Sequence, residues 1–448
     1  MRLLFFSWLV LSFGFFGAAA TARAQAKRFF PYHYENFTLE NGFKTILVPV
    51  KGSGLVAYYT VVRTGSRDEF EPGKTGFAHF FEHMMFRGTE KHPAAEYSRM
   101  VSEMGAEANA FTGDDLTCYY MVIPSAKLET ALDLESDRFQ NLTYEEAPFR
   151  TEAGAVYGEY RKNLASPFRL AYESLLNTAF DKHTYKHTTM GFEADIKQMP
   201  TLYEFSKSFF DRYYRPENCV LLLVGDFEPG AVKPMIEKCY AGWKPGYAAP
   251  TIPPEPAQTA ERMVEVAYNG RTLPLVWVAY KGDAFDPADR MVVSAYLLGD
   301  LAFGENSELY KKLAIREQKV ESISGDFGFS RDPKLYSINA RVKDEKDIAY
   351  VIDEIDKAAD KFAREPVGGD ELENIKKRSR YGYLMSLDTP ERVGSRLART
   401  VAITGGVEAV DELYATMAAI TVEDIRAAAR RYLQKERRTV LVLKGAKS

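Results

Sequence analysis

The chain has 448 residues, 46% of them hydrophobic and 27% charged, with a formal net charge of −4. A small net charge with both signs interspersed argues against a nucleic-acid binder, and the length is enough for more than one hydrophobic core, so two domains are expected. Three cysteines, Cys118, Cys219 and Cys239, are too few and too scattered for a disulfide scaffold or a thiolate zinc site. Cys219 and Cys239 could pair, but two buried thiols are the expectation.

The first residues place one positive charge, Arg2, before an apolar run that ends in small residues, with Ala-x-Ala cut sites near Ala24 and Ala26. This is the pattern of a secretory signal peptide over residues 1–26. The alternative is a membrane anchor, but a spanning helix needs about 20 apolar residues, and this run is shorter and broken by Ser7 and Ser12. No later segment is apolar enough to cross a bilayer. The expected location is therefore an oxidising compartment, the bacterial periplasm, with no membrane span and no nucleic-acid partner.

After the leader, "FTLENGFKTILVPV" predicts a hairpin turning at Asn41-Gly42, and "LVAYYTVVRTG" predicts a further strand. A helix is predicted in "KTGFAHFFEHMMF" and another in "PAAEYSRMVSEMG". Strands follow in "AEANAFTG" and "TCYYMVIP", then a helix in "SAKLETALDLESDRFQN". The proline-rich stretch 243–262 has no apolar period and reads as a linker between domains at 27–242 and 263–448. What flanks it is duplicated. "MPTLYEFSKSFFDRYYRPENCVLLLVGDF" and "AAITVEDIRAAARRYLQKERRTVLVLKGA" each read as a Thr-capped helix, a hydrophobic strand and a glycine, with Thr201 matching Thr421 and Val220 matching Val440. The expected fold is α+β: two tandem homologous domains, each a mostly antiparallel sheet with helices packed on one face.

Two of the chain's six histidines stand in "HFFEH". On a helix His79, Glu82 and His83 fall at i, i+3 and i+4, so their side chains leave one face about a turn apart. Two imidazoles so placed can hold one cation. Zinc accepts neutral imidazole nitrogen at about 2.0 to 2.1 Å, and a catalytic site has three protein ligands and an open position for water. Zinc brings the pKa of its water near 7, and a carboxylate is needed to move that proton. Glu82 is placed for this task. The alternative, a surface helix with two incidental histidines, requires a chance match of about one in a hundred or less from this composition. His33, His92, His183 and His187 have no such partners and read as structural or loop residues. A third ligand is expected from "EEAPFRTEAGAVYGEYRKN", where Glu152 and Glu159 lie two helical turns apart on one face. Spacing leaves open which of the two binds metal, or whether they form a solvated acidic face.

The motif His79-Phe80-Phe81-Glu82-His83, its continuation "HMMFRGT", and Glu152, Val156 and Glu159 on the distal helix resemble the pitrilysin, insulysin and mitochondrial processing peptidase family, over essentially the whole mature chain. That resemblance implies a zinc endopeptidase in which His79, His83 and Glu159, 76 positions after His83, hold Zn2+. It also implies that Glu82 is the general base and that Glu152 is a supporting carboxylate. "EANAFTGDDLTCYY" is similar to the family strand beside the zinc, implying that Asn109 and Ala110 meet the main chain of a peptide substrate by strand addition. The alternative for Asn109 is a turn cap in an ordinary internal strand. "HTYKHTTMGFEADI" is similar to a family loop, with Thr184 where proline is usual.

One departure bears on activity. Family members complete by themselves carry an Arg and a Tyr in the C-terminal half. The matching segment here, "SELYKKLAIREQKVESISGDFGF", offers Arg316 but has Ser322 or Ile323 at the tyrosine position. The resemblance therefore implies the zinc-bearing subunit of a heterodimer whose zinc-free partner supplies the Arg/Tyr pair, working on oligopeptides or unfolded segments in an enclosed chamber. The alternative is a non-catalytic peptide-binding or structural member of the same family.

Overall fold

The structure is a computed structural model that describes residues 28–446. The signal-peptide reading of residues 1–26 falls outside the described residues. Among those described, no helix is long and apolar enough to cross a membrane.

The first half builds a six-stranded sheet from β1 (Glu35–Thr38), β2 (Lys44–Pro49), β3 (Leu55–Val62), β4 (Glu107–Thr112), β5 (Thr117–Pro124) and β6 (Cys219–Gly225), in the order β1-β2-β6-β3-β5-β4. The second half repeats the plan with β7 (Arg262–Tyr268), β8 (Leu275–Lys281), β9 (Val320–Asp326), β10 (Leu335–Val342) and β11 (Arg438–Gly445), ordered β7-β11-β8-β10-β9. Each sheet has a single parallel pair, β2 with β6 and β7 with β11. All other pairs are antiparallel, as expected. The duplicated segments supply equivalent strands: Val220 pairs with Val61 and Val440 with Val278.

Helices α1 (Phe77–Met84), α2 (Ala94–Glu103), α3 (Leu128–Asn141), α4 (Glu146–Leu164), α5 (Pro167–Ala179), α6 (Glu193–Gln198), α7 (Tyr203–Tyr213) and α8 (Pro229–Tyr240) belong to the first half. The second half has α9 (Arg290–Phe303), the short α10 (Glu308–Tyr310) running into a wider turn to Arg316, then α11 (Ile348–Arg364), α12 (Gly369–Met385), α13 (Pro390–Thr404), α14 (Glu408–Ala419) and α15 (Val422–Tyr432). Most of each set packs on one face of its own sheet. The Thr421 hydroxyl accepts from Asp424 N and caps α15. Thr201 does not cap α7; Pro200 sets a tight turn over Met199–Thr201, and the Thr201 hydroxyl instead donates back to Gln198 O at 2.8 Å.

The opposite face of each sheet is covered by a helix from the other half. α13 lies on β3 and β6, burying Val393, Leu397, Ala398 and Val401 against Ile46, Tyr59, Val61 and Leu222. α5 lies on β7 and β11, burying Ala171 and Leu175 against Trp277, Leu441 and Leu443. This explains why β6 is apolar throughout rather than alternating: it is buried on both faces. α13 approaches closely because residue 394 is glycine. A Cβ there would lie 2.3 Å from Tyr59 Cε2. Gly394→Ala is therefore expected to force the helix or the Tyr59 ring aside at a cost of about 1–3 kcal/mol, read as a lower urea midpoint of unfolding.

A polar joint ties the halves beside these helices. Asp332 of the second half accepts from Arg67 Nε at 2.6 Å and lies 2.9 Å from His183 Nε2, and its amide donates to the Tyr185 hydroxyl at 3.3 Å. Burial raises the Asp332 pKa, but the hydrogen bonds from His183 and Arg67 outweigh it and hold the carboxyl well below the usual range. A depressed carboxyl contributes stability above its unfolded pKa, near 3.9, and that stability is lost as pH falls toward the folded value. Wild type should therefore lose stability between about pH 5 and pH 3 more steeply than Asp332→Asn, measured by urea unfolding across that window.

Candidate metal centre

α1 begins at Gly76, whose left-handed φ of 91° makes the chain turn abruptly into the helix. Gly76 has no capping side chain. Glu69 supplies the cap from ten residues before His79, its two carboxylate oxygens each accepting at 2.7 Å, from the amides of Gly76 and Ala78. One stripe of α1, Phe77, Phe80, Phe81 and Met84, is buried in the core. The helical period then leaves His79, Glu82 and His83 on another face.

That face meets α4. The core stripe of α4 includes Phe149, Ala153 and Val156, and Glu152 and Glu159 lie on the side turned to α1. His79 Nε2 and His83 Nε2 each lie 3.6 Å from Glu159 Oε2. Ligand atoms of His79, His83 and Glu159 lie within 4.8 Å of one another. Glu152 meets the other side of the second imidazole, 2.8 Å from His83 Nδ1, and also contacts Arg87. Glu159 thus faces both Nε2 atoms and Glu152 faces Nδ1. With Glu152 accepting from Nδ1–H, the His83 Nε2 lone pair is directed toward Glu159. Burial lowers the His79 pKa, favouring the neutral imidazole that can act as a ligand.

The cluster fits zinc. Ligands at about 2.0–2.1 Å in tetrahedral array are separated by about 3.3–3.5 Å, close to the observed 3.6 Å contacts. The donor set of two imidazoles and one carboxylate is one that zinc accepts, and it leaves a further position. All three cysteines are free, with Cys118 and Cys219 buried and Cys239 partly exposed.

Glu82 Oε2 accepts from the Thr112 hydroxyl at 2.6 Å. This links the motif helix to β4, the outer strand of its sheet. Asn109 and Ala110 on β4 line a groove of about 480 Å³ together with Glu82, His83, Arg87 and Glu152. The groove continues along the strand edge into a second volume of about 470 Å³.

Comparison with known proteins accords with this geometry. Residues 53–193 match the family described as Insulinase (Peptidase family M16), and residues 202–379 match its companion, the Peptidase M16 inactive domain. The chain belongs to the peptidase M16 family. It is 27% identical over 430 residues to zinc protease PqqE of Helicobacter pylori, covering 94% of this chain and 95% of that one. The crystal structure of a protease from Helicobacter pylori superposes with a TM-score of 0.86 at 26% identity, covering 92% and 99% of the two chains. The periplasmic protease PqqL of Escherichia coli shares the fold, with a TM-score of 0.74 at 17% identity; 92% of this chain matches 48% of that longer one.

Other residues stand in this family framework as follows. Thr184 is buried and donates to Arg67 O, while His183 and His187 are buried and His92 lies beside Asp133; all are away from the cluster. His33 is exposed near Glu35. Arg316 is more than half exposed and lies 3.6 Å from Glu308, and Ser322 and Ile323 lie on β9, the outer strand of the second sheet. Sequence reasoning missed Thr112, Arg87 and Glu69. The first two had signals: strand alternation places Thr112 on the face of Ala110, and Arg87 follows His83 by four residues. Glu69 had none, because its contact with α1 depends on the path of the intervening loop.

Proposed function

We propose that this chain is a zinc-dependent endopeptidase subunit acting in the periplasm, with residues 27–242 and 263–448 as its two domains and 243–262 as their connection. The observation that carries the reading is the convergence of His79 Nε2, His83 Nε2 and Glu159 Oε2 beside the carboxylate of Glu82, at the open edge of β4. His79, His83 and Glu159 would hold zinc. When bound there, the metal supplies Lewis acidity toward a peptide carbonyl and toward water.

The remaining chemistry belongs to the chain. Glu82 takes the proton of the attacking water and returns it to the leaving amine, while Thr112 holds its carboxylate in place. Glu152 fixes the tautomer and orientation of His83. Glu152→Gln is accordingly expected to weaken zinc binding about 10- to 100-fold without removing the site, measured by competition with a fluorescent chelator. An extended peptide adds along β4, where Asn109 and Ala110 offer main-chain hydrogen bonds.

In the segment similar to the family's Arg/Tyr element the tyrosine position falls on Ser322 or Ile323, and Arg316 lies exposed against Glu308. A missing donor to the carbonyl oxygen lowers rate by about 10²–10³. The subunit therefore works with a zinc-free homologous partner, and the doubled length of PqqL is consistent with two such units acting together. The reading is tested by cleavage of a quenched, unstructured peptide by residues 27–448. Slow cleavage abolished by chelation supports it. Rapid cleavage by the chain alone would remove the need for a partner, and cleavage indifferent to chelation would remove the role of zinc.

A further inference from the structure

The open edge of β4 has two sides, and only one faces the metal centre. In the β4–β5 register Ala110 pairs with Tyr119 and Thr112 with Thr117, and Thr112 reaches Glu82; these residues point toward α1. Asn109 pairs with Tyr120 and Phe111 with Cys118, and these point to the other face, where α13 lies. The exposed residues of α13 therefore flank any strand that adds to β4.

Two charges stand along that flank. Glu391, in the first turn of α13, borders the groove with Asn109 and Tyr120. Arg399, two turns on, lies with its guanidinium 5.4 Å from the centre of the Phe111 ring. The distances are commensurate. The eight-residue step from Glu391 to Arg399 spans about 12 Å of helix, and the four-residue step from Glu107, which borders the same groove as Glu391, to Phe111 spans about 13 Å of strand. Arg392 on the same helix is neutralised by Asp388 at 3.0 Å, whereas Arg399 is exposed with no carboxylate within 4.0 Å among the described residues. An unpaired guanidinium braced on an aromatic ring, beside an unpaired strand edge, is a receptor for a carboxylate.

We propose that Arg399 is a specificity-determining residue of this chain, selecting an extended peptide with Asp or Glu at the position opposite Phe111. This rests on the strand-addition reading given above. Side chains of the bound strand alternate, so the selected residue points away from the metal while its neighbours point toward it. Glu391 disfavours a second acidic residue further along the same face.

The test uses the zinc-loaded Glu82→Gln chain and fluorescent peptides of one unstructured sequence, in which Glu or Lys replaces Ala at each position in turn, with binding read by anisotropy. One position is expected to bind up to about fivefold tighter with Glu than with Ala, the range of an exposed ion pair. Arg399→Lys should keep that preference, and Arg399→Glu should transfer it to Lys at the same position. The same position profile in the Glu82→Gln chain with Arg399 kept and with Arg399→Glu added would overturn the proposal while leaving strand addition intact. Absence of binding to every peptide, with zinc content unchanged, would overturn strand addition itself and the proposal with it.

Discussion

Replacing Glu82 by Gln is expected to lower turnover of peptide substrates by about 10²–10⁴-fold while leaving zinc content at the wild-type level. The amide keeps the shape of the side chain and its contact with Thr112, 2.6 Å from the carboxylate in wild type, but it cannot accept the proton of the attacking water. The separation of turnover from metal content follows from geometry. Glu82 is on the same helical face as His79 and His83, but it is Glu159 that both Nε2 atoms approach at 3.6 Å. Rate measurements with metal analysis on the same sample check this, and parallel loss of zinc would instead make Glu82 a ligand.

Glu159→Gln is expected to have the opposite signature, losing zinc and turnover together. Zinc prefers an anionic oxygen, and a neutral amide in its place leaves two imidazoles as the only strong donors. The contrast with Glu152→Gln is the sharper test. Both glutamates project from one side of α4, but Glu152 touches His83 at Nδ1, on the far side of the ring from the metal position. Chelator competition should therefore order the variants as wild type, Glu152→Gln, then Glu159→Gln. An inverted order would exchange the two roles.

Much of this site could be read from sequence because it depends on local periodicity. The i, i+3, i+4 spacing of His79, Glu82 and His83 is enough to place three side chains on one helical face, and the seven-residue spacing of Glu152 and Glu159 does the same on α4. Which glutamate meets the imidazoles was not legible from spacing, because it depends on how α1 and α4 pack. The resemblance to a known family supplied that distinction, and in the structure it is Glu159 that faces both Nε2 atoms. The two mostly antiparallel sheets were legible from the strand pattern and the duplicated helix–strand segments; the single parallel pair in each was not. The covering of each sheet by a helix of the other half was not anticipated. The signal was present in the uninterrupted apolar run of β6, which marks a strand buried on both faces, but no local pattern names α13 or α5 as the cover. Likewise Glu69 caps α1 across a loop, and only the folded path of residues 69–76 brings it there.

The most direct test of the central claim, that His79, His83 and Glu159 hold zinc, is metal analysis with zinc X-ray absorption on purified residues 27–448 and on Glu159→Gln. One zinc per chain is expected, coordinated by two imidazoles and by oxygen, with no sulfur at about 2.3 Å, and lost in the variant. Zinc bound through sulfur, or zinc retained unchanged in Glu159→Gln, would contradict the assignment.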